Sequence, residues 1–112
     1  MLDASRLVEV FGDDRKAIRE ILQLAVDSIE DLLGQVEAAL GRGDRFGACA
    51  AVHEVKGVSA NVGAEALANS AAALEPALSN EAVPLSAELV APLRQAYGLF
   101  ATEARARIDG PA

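Results

Sequence analysis

The chain contains one histidine, His53, followed by Lys56 three residues on and Gly57 four on, in the run HEVKGVSANVGA from 53 to 64. A neutral imidazole can act as a nucleophile, and an unperturbed one titrates near pH 6.5, so that form is abundant at neutral pH. A lysine one helical turn away supplies a cation for any anionic group carried by the ring. The glycine is the odd member, because inside a helix it costs about 1 kcal/mol relative to alanine. It removes bulk beside the histidine, which is what the close approach of a second macromolecule needs. Cys49 lies four residues before His53, and a Cys-His pair at that spacing raises thiol catalysis as another possibility. No third orienting group accompanies the pair, and Cys49, His53 and scattered carboxylates make a poor metal set.

These residues need a helix to align them. With helical spacing over 45–62, Ala48, Val52, Val55, Ser59 and Val62 form the inward seam. His53 points the other way, flanked by Phe46, Cys49, Ala50, Gly57 and Ala60. This outer face is small and apolar where a solvent face is ordinarily charged. Before it, Ile18, Leu22, Ala25, Ile29, Leu32, Val36 and Leu40 mark a long helix over 15–40, opened by the GDD at 12–14 and closed by GRGD at 41–44. After it, Leu67, Ala71, Leu74 and Leu78 mark a helix over 65–78, with Pro76 predicting a kink or stop near 74–75. Leu89, Leu93, Ala96, Phe100 and Ala104 mark a last helix over 87–108, which Pro92 bends or begins. A short amphipathic stretch over 2–11 carries Leu7, Val8 and Phe11, as end-capping core or as part of a docking surface. The pattern predicts an all-α fold: one domain over 1–112, an antiparallel four-helix bundle with a short N-terminal capping helix.

Composition agrees. Of 112 residues 52% are apolar, only three are Phe and one is Tyr, and none is Trp, so the core is built from Leu, Val, Ile and Ala. A net charge of −7 argues against a nucleic-acid partner. One cysteine permits no internal disulfide. With no membrane span and no leader-like start, the expectation is a cytoplasmic protein, with nothing requiring more than a monomer.

The run from His53 to Ala64, with Leu67 and the Leu-Glu pair at 74 and 75, resembles the histidine-containing phosphotransfer (HPt) domain, whose pattern is H-x-x-K-G-x-S, a Gly-Ala turn and a leucine helix ending in Leu-Glu. The resemblance implies a stand-alone carrier in a multistep phosphorelay, not a turnover enzyme. His53 would accept a phosphoryl group from a receiver-domain aspartate, through the ring nitrogen farther from the backbone, and pass it to another receiver. Lys56 would stabilise the phosphoryl group. Gly57, Ala60, Cys49 and Ala50 would give the partner access, and Ser59 and Gly63 would be packing and turn positions. Leu7, Val8, Phe11, Phe46 and Glu54 are docking candidates. The partners implied are response-regulator receiver domains and a hybrid histidine kinase, and the magnesium ion belongs to the receiver, so this domain would hold no metal or cofactor. The other readings are an HPt-like module that docks a receiver without transfer, and a Cys49–His53 enzyme.

Overall fold

Two aspartates set where the long helices begin. Asp14 accepts a hydrogen bond from the Ala17 N–H at 3.1 Å and opens α2, Arg15–Gly41. Asp44 accepts from the Gly47 N–H at 2.8 Å and opens α3, Arg45–Asn61. Each bond satisfies a backbone donor that the first turn of a helix leaves without a partner. At Gly47 the cap is close-fitting, and a Cβ there would lie 2.8 Å from Asp44 Cγ and require the side chain to shift. The helices end by one device. Gly43 and Gly63 adopt φ of 68° and 75°, and the N–H groups of Asp44 and Ala64 reach back to Ala39 O and Ser59 O, both at 2.8 Å. Glycine takes this left-handed conformation without strain. The computed structural model describes residues 4–110, except for the side chains of Ala4 and Arg6. Residues 2 and 3 of the stretch expected over 2–11, and the ends of the domain expected over 1–112, lie outside them.

The remaining helices are α1, Ala4–Phe11; α4, Glu65–Ser79; and α5, Ala87–Asp109. Short connections fold α2 to α5 into an antiparallel bundle in which α2 packs on α3, α3 on α4, α4 on α5 and α5 on α2. The described residues extend 48 × 21 × 17 Å. The core is aliphatic, with Leu22, Ile29, Val52, Val55, Leu67, Leu78 and Leu93 at most 1% exposed. Each such leucine or isoleucine contributes about 1.5–3 kcal/mol from burial. The polar hydroxyl of Tyr97 donates to Val26 O at 3.3 Å and joins α5 to α2. Burial, with a smaller push from Glu30, raises its pKa.

The seam expected on α3 and the stripe expected on α4 are buried as read. On α2 the buried face is wider, taking in Val26, Leu33 and Ala39, because this helix meets two neighbours. On α5 the face is rotated from expectation: Val90, Tyr97 and Ala101 join Leu93, Phe100 and Ala104, while Leu89 and Ala96 are only half-buried. Of the alternatives the sequence left open, the stop at Pro76 and the helix start at Pro92 do not occur. Pro76 lies within α4, which runs on to Ser79, and α5 starts at Ala87 with Pro92 inside it. Each proline deprives only the carbonyl four residues back of its helical donor, and those residues, Ala72 and Glu88, face solvent where water can serve. Leu7 is 1% exposed and belongs to the core, which removes it from the docking candidates. Val8 is exposed and Phe11 half-buried against the core.

The Asp44 carboxyl is held below its ordinary value near 3.8, chiefly by the Gly47 N–H, against a smaller desolvation effect and with help from Arg42. A depressed carboxylate pKa stabilises the fold above the unfolded value and loses that contribution as pH falls through the folded one. Asp44→Ala is therefore expected to lower the Tm at neutral pH. The gap to the parent should narrow in thermal melts taken progressively below about pH 4. A gap that stays constant with pH would mean that the charge of Asp44 is irrelevant to the cap.

Candidate functional site

The outward stripe of α3 is a ladder at helical spacing: Phe46, Cys49 and Ala50, His53, Lys56 and Gly57, Ala60. Its inward seam locks the rotation of the helix, and so His53 faces solvent with its side chain 69% exposed. Phe46, Ala50, Glu54, Gly57 and Ala60 are likewise exposed, while Cys49 and Lys56 are half-buried. At Gly57 an added Cβ would meet nothing within 4 Å. The fold itself therefore gives no reason for a glycine there, and the open space lies outside the protein.

The ring is held from the neighbouring helix. Glu75 of α4 places Oε1 3.0 Å from His53 Nδ1. The same carboxylate meets Lys56, whose Nζ lies 3.4 Å from Oε1 and 3.5 Å from Oε2. An ionised carboxylate can only accept, so the nitrogen facing it carries the proton. In the neutral ring Nε2 then keeps its lone pair, on a side chain that is 69% exposed. Lys56 and His53, adjacent on α3, are thus brought together through Glu75 and not by direct contact. The sequence reading assigned no role to Glu75. A signal was present: it lies one residue after Leu74 and three before Leu78, at the edge of the buried stripe, where an acid requires a partner.

Cys49 does not form a dyad with His53. Its Sγ turns to α4, 3.5 Å from Ser79 Oγ and 4.0 Å from Glu75 O. Among the described residues no group of three or more His, Cys, Asp or Glu side chains is arranged to hold a metal ion. No helix among them is long and apolar enough to cross a membrane.

Beside His53 the two helices enclose a concavity of about 750 Å³, lined by Phe46, Cys49, Ala50, Glu54, Leu78 and Glu81 among others. Phe46, 86% exposed, stands on its rim. Among the described residues none of α1 lines it.

The fold is an aliphatic four-helix bundle with one exposed imidazole oriented by a carboxylate. The family model described as the Hpt domain matches residues 20–108, and the chain belongs to that family. No curated protein and no solved structure is a significant match. Its function is histidine phosphotransfer, as a phosphoryl carrier and not a turnover enzyme, in company with receiver and histidine-kinase domains.

The Glu75 contact fixes which nitrogen is free, and this can be read directly. In long-range 15N–1H spectra at about pH 8.5, where an imidazole is neutral, His53 is expected as the Nδ1–H tautomer. Glu75→Ala should shift the balance toward Nε2–H. A parent protein already in the Nε2–H form would show that Glu75 does not orient the ring.

Proposed function

We propose that His53 is the phosphoacceptor and that its Nε2 exchanges a phosphoryl group with the aspartate of a receiver domain. The Nε2 lone pair attacks phosphorus, the bond from phosphorus to the aspartyl oxygen breaks, and its electron pair returns to the aspartate carboxylate. The Nδ1 proton stays in place. The ring then bears a substituent or proton on both nitrogens and a positive charge, which the Glu75 carboxylate at 3.0 Å is placed to stabilise. Run backwards, the same step delivers the group to a second receiver, and the proton kept on Nδ1 lets the ring leave as a neutral imidazole.

Lys56 is the cation for the phosphoryl oxygens. In the resting site it is half-exposed and leans on Glu75, so its ammonium needs only a small rotation to meet an anion on the ring. Gly57, Ala60, Ala50 and Cys49 keep the surface around His53 low enough for a receiver to bring its aspartate to Nε2. Such transfer depends on positioning and charge, with little covalent machinery required of the carrier.

Phe46 supplies an apolar anchor two turns from His53, and Glu54 and Glu81 place acidic groups around the concavity. That combination suits a receiver face that is apolar at its centre and cationic at its edge. A receiver domain, free or carried on a hybrid histidine kinase, is the partner this surface fits.

The observation that carries this reading is the exposed ring held at Nδ1 by Glu75. Incubation with a phosphorylated receiver is expected to place an acid-labile, alkali-stable label on the protein, and His53→Gln should abolish it. A label that survives this change would reject His53. Tight docking of the receiver without any label would point to a regulatory module instead.

Gly57 separates access from folding. Gly57→Ala is expected to raise stability by about 0.5–1 kcal/mol in urea unfolding, since the added methyl meets nothing. Gly57→Leu should keep the helix content and lose receiver transfer. Transfer at the parent rate in the leucine variant would show that the glycine is not there for the partner.

A further inference from the structure

Arg45 opens α3 two turns before His53, and its side chain does not stay on its own helix. The two N–H groups of Nη1 are shared among Ala77 O at 3.2 Å, Leu78 O at 3.0 Å and Asn80 O at 2.8 Å, and Nη2 donates to Val83 O. The planar fork of a guanidinium suits such a set of acceptors, and a lysine ammonium, with three donors on one atom, does not reproduce it. The four carbonyls belong to one stretch, the last turn of α4 and the first residues of the α4–α5 connection.

That stretch has need of a tether. The last carbonyls of a helix lack intrahelical donors and attract cations. The last turn of α4 contains no basic residue, and Pro76 sits near its end. Within the connection Ala82 N–H donates to Asn80 Oδ1 and Val83 N–H to Asn80 O, both at 3.0 Å and both short-range. Arg45 ties this segment across to α3 through four carbonyls, beside the Cys49–Ser79 contact at 3.5 Å.

The same segment forms one wall of the concavity. Leu78, Ser79 and Glu81 line it together with Arg45, facing Phe46, Ala50 and His53. Arg45 itself lies about 12 Å along the helix from His53 at 1.5 Å per residue, away from the reacting atoms. We infer that Arg45 is a positioning residue for receiver recognition: by pinning the α4–α5 connection to α3, it holds the wall opposite Phe46 in the shape that receives the partner. The inference deepens the receiver-transfer reading above and rests on it.

The test compares a donor that must dock with one that need not. Phosphoramidate phosphorylates an accessible histidine directly and reports the chemistry of His53 alone. A phosphorylated receiver reports docking as well. In Arg45→Met the KM for the receiver is expected to rise at least about tenfold, with kcat and phosphoramidate labelling held within about twofold. Arg45→Lys should recover only part of the loss. Amide exchange over residues 79–83 should quicken in both variants. An unchanged KM in Arg45→Met overturns the inference, and so does an equal slowing of both donors, which marks a general structural role. If the methionine variant does not fold, the lysine variant decides: a KM raised at least about threefold supports the inference, and parent-like KM overturns it. A parent protein that phosphoramidate labels and no phosphorylated receiver labels overturns the transfer reading, and this inference with it.

Discussion

One carboxylate bridging two helices governs the site. Glu75 of α4 grips Nδ1 of His53 and the ammonium of Lys56, both from α3. Without it the imidazole would rotate and exchange tautomers, and the nucleophilic nitrogen would be defined only part of the time. With it, ring orientation, proton position and lysine placement are set by the packing of α3 on α4. The seam of Ala48, Val52, Val55 and Ser59 on one side, and the stripe of Leu67, Ala71, Leu74 and Leu78 on the other, are what keep Glu75 within reach. The aliphatic core thus serves the chemistry by fixing the phase of two helices to within the tolerance of a hydrogen bond.

The arrangement suits a carrier better than a catalyst. Its groups stabilise a charge on the ring without committing the phosphoryl group to stay. In the proposed transfer the carboxylate would favour a positive ring from the Nδ1 side, opposite the nitrogen left to react. The lysine is shared between Glu75 and whatever anion arrives. The surrounding surface is built on the same economy: small residues beside the ring, one large aromatic at a distance, and acids at the edge.

The fold was legible in the sequence because the apolar spacing of α2, α3 and α4 is regular and the capping residues Asp14 and Asp44 and the turn glycines Gly43 and Gly63 act locally. The orientation of His53 was legible for the same reason, since the inward seam of a single helix fixes its outward face. What the sequence hid depends on pairs of helices. Glu75 reaches His53 across a helix interface, and Arg45 reaches carbonyls more than thirty residues away. Helical periodicity reports the face of each residue and not its partner. The prolines left two outcomes open for a related reason: a missing N–H breaks a helix only where nothing else can serve the freed carbonyl, and solvent exposure of Ala72 and Glu88 comes from packing. Leu7 was ambiguous because a short helix with one apolar side fits a core or a partner equally well until its neighbour is known.

The central claim is that Glu75 reserves Nδ1 and leaves Nε2 to react. The most direct check is 15N NMR of the protein labelled at the histidine ring after phosphorylation by a receiver, with the site of the nitrogen–phosphorus bond read from the coupling to 31P. Coupling at Nε2 of His53, with Nδ1 still protonated, is the expected result. Coupling at Nδ1, or phosphate on any other residue, would contradict the account.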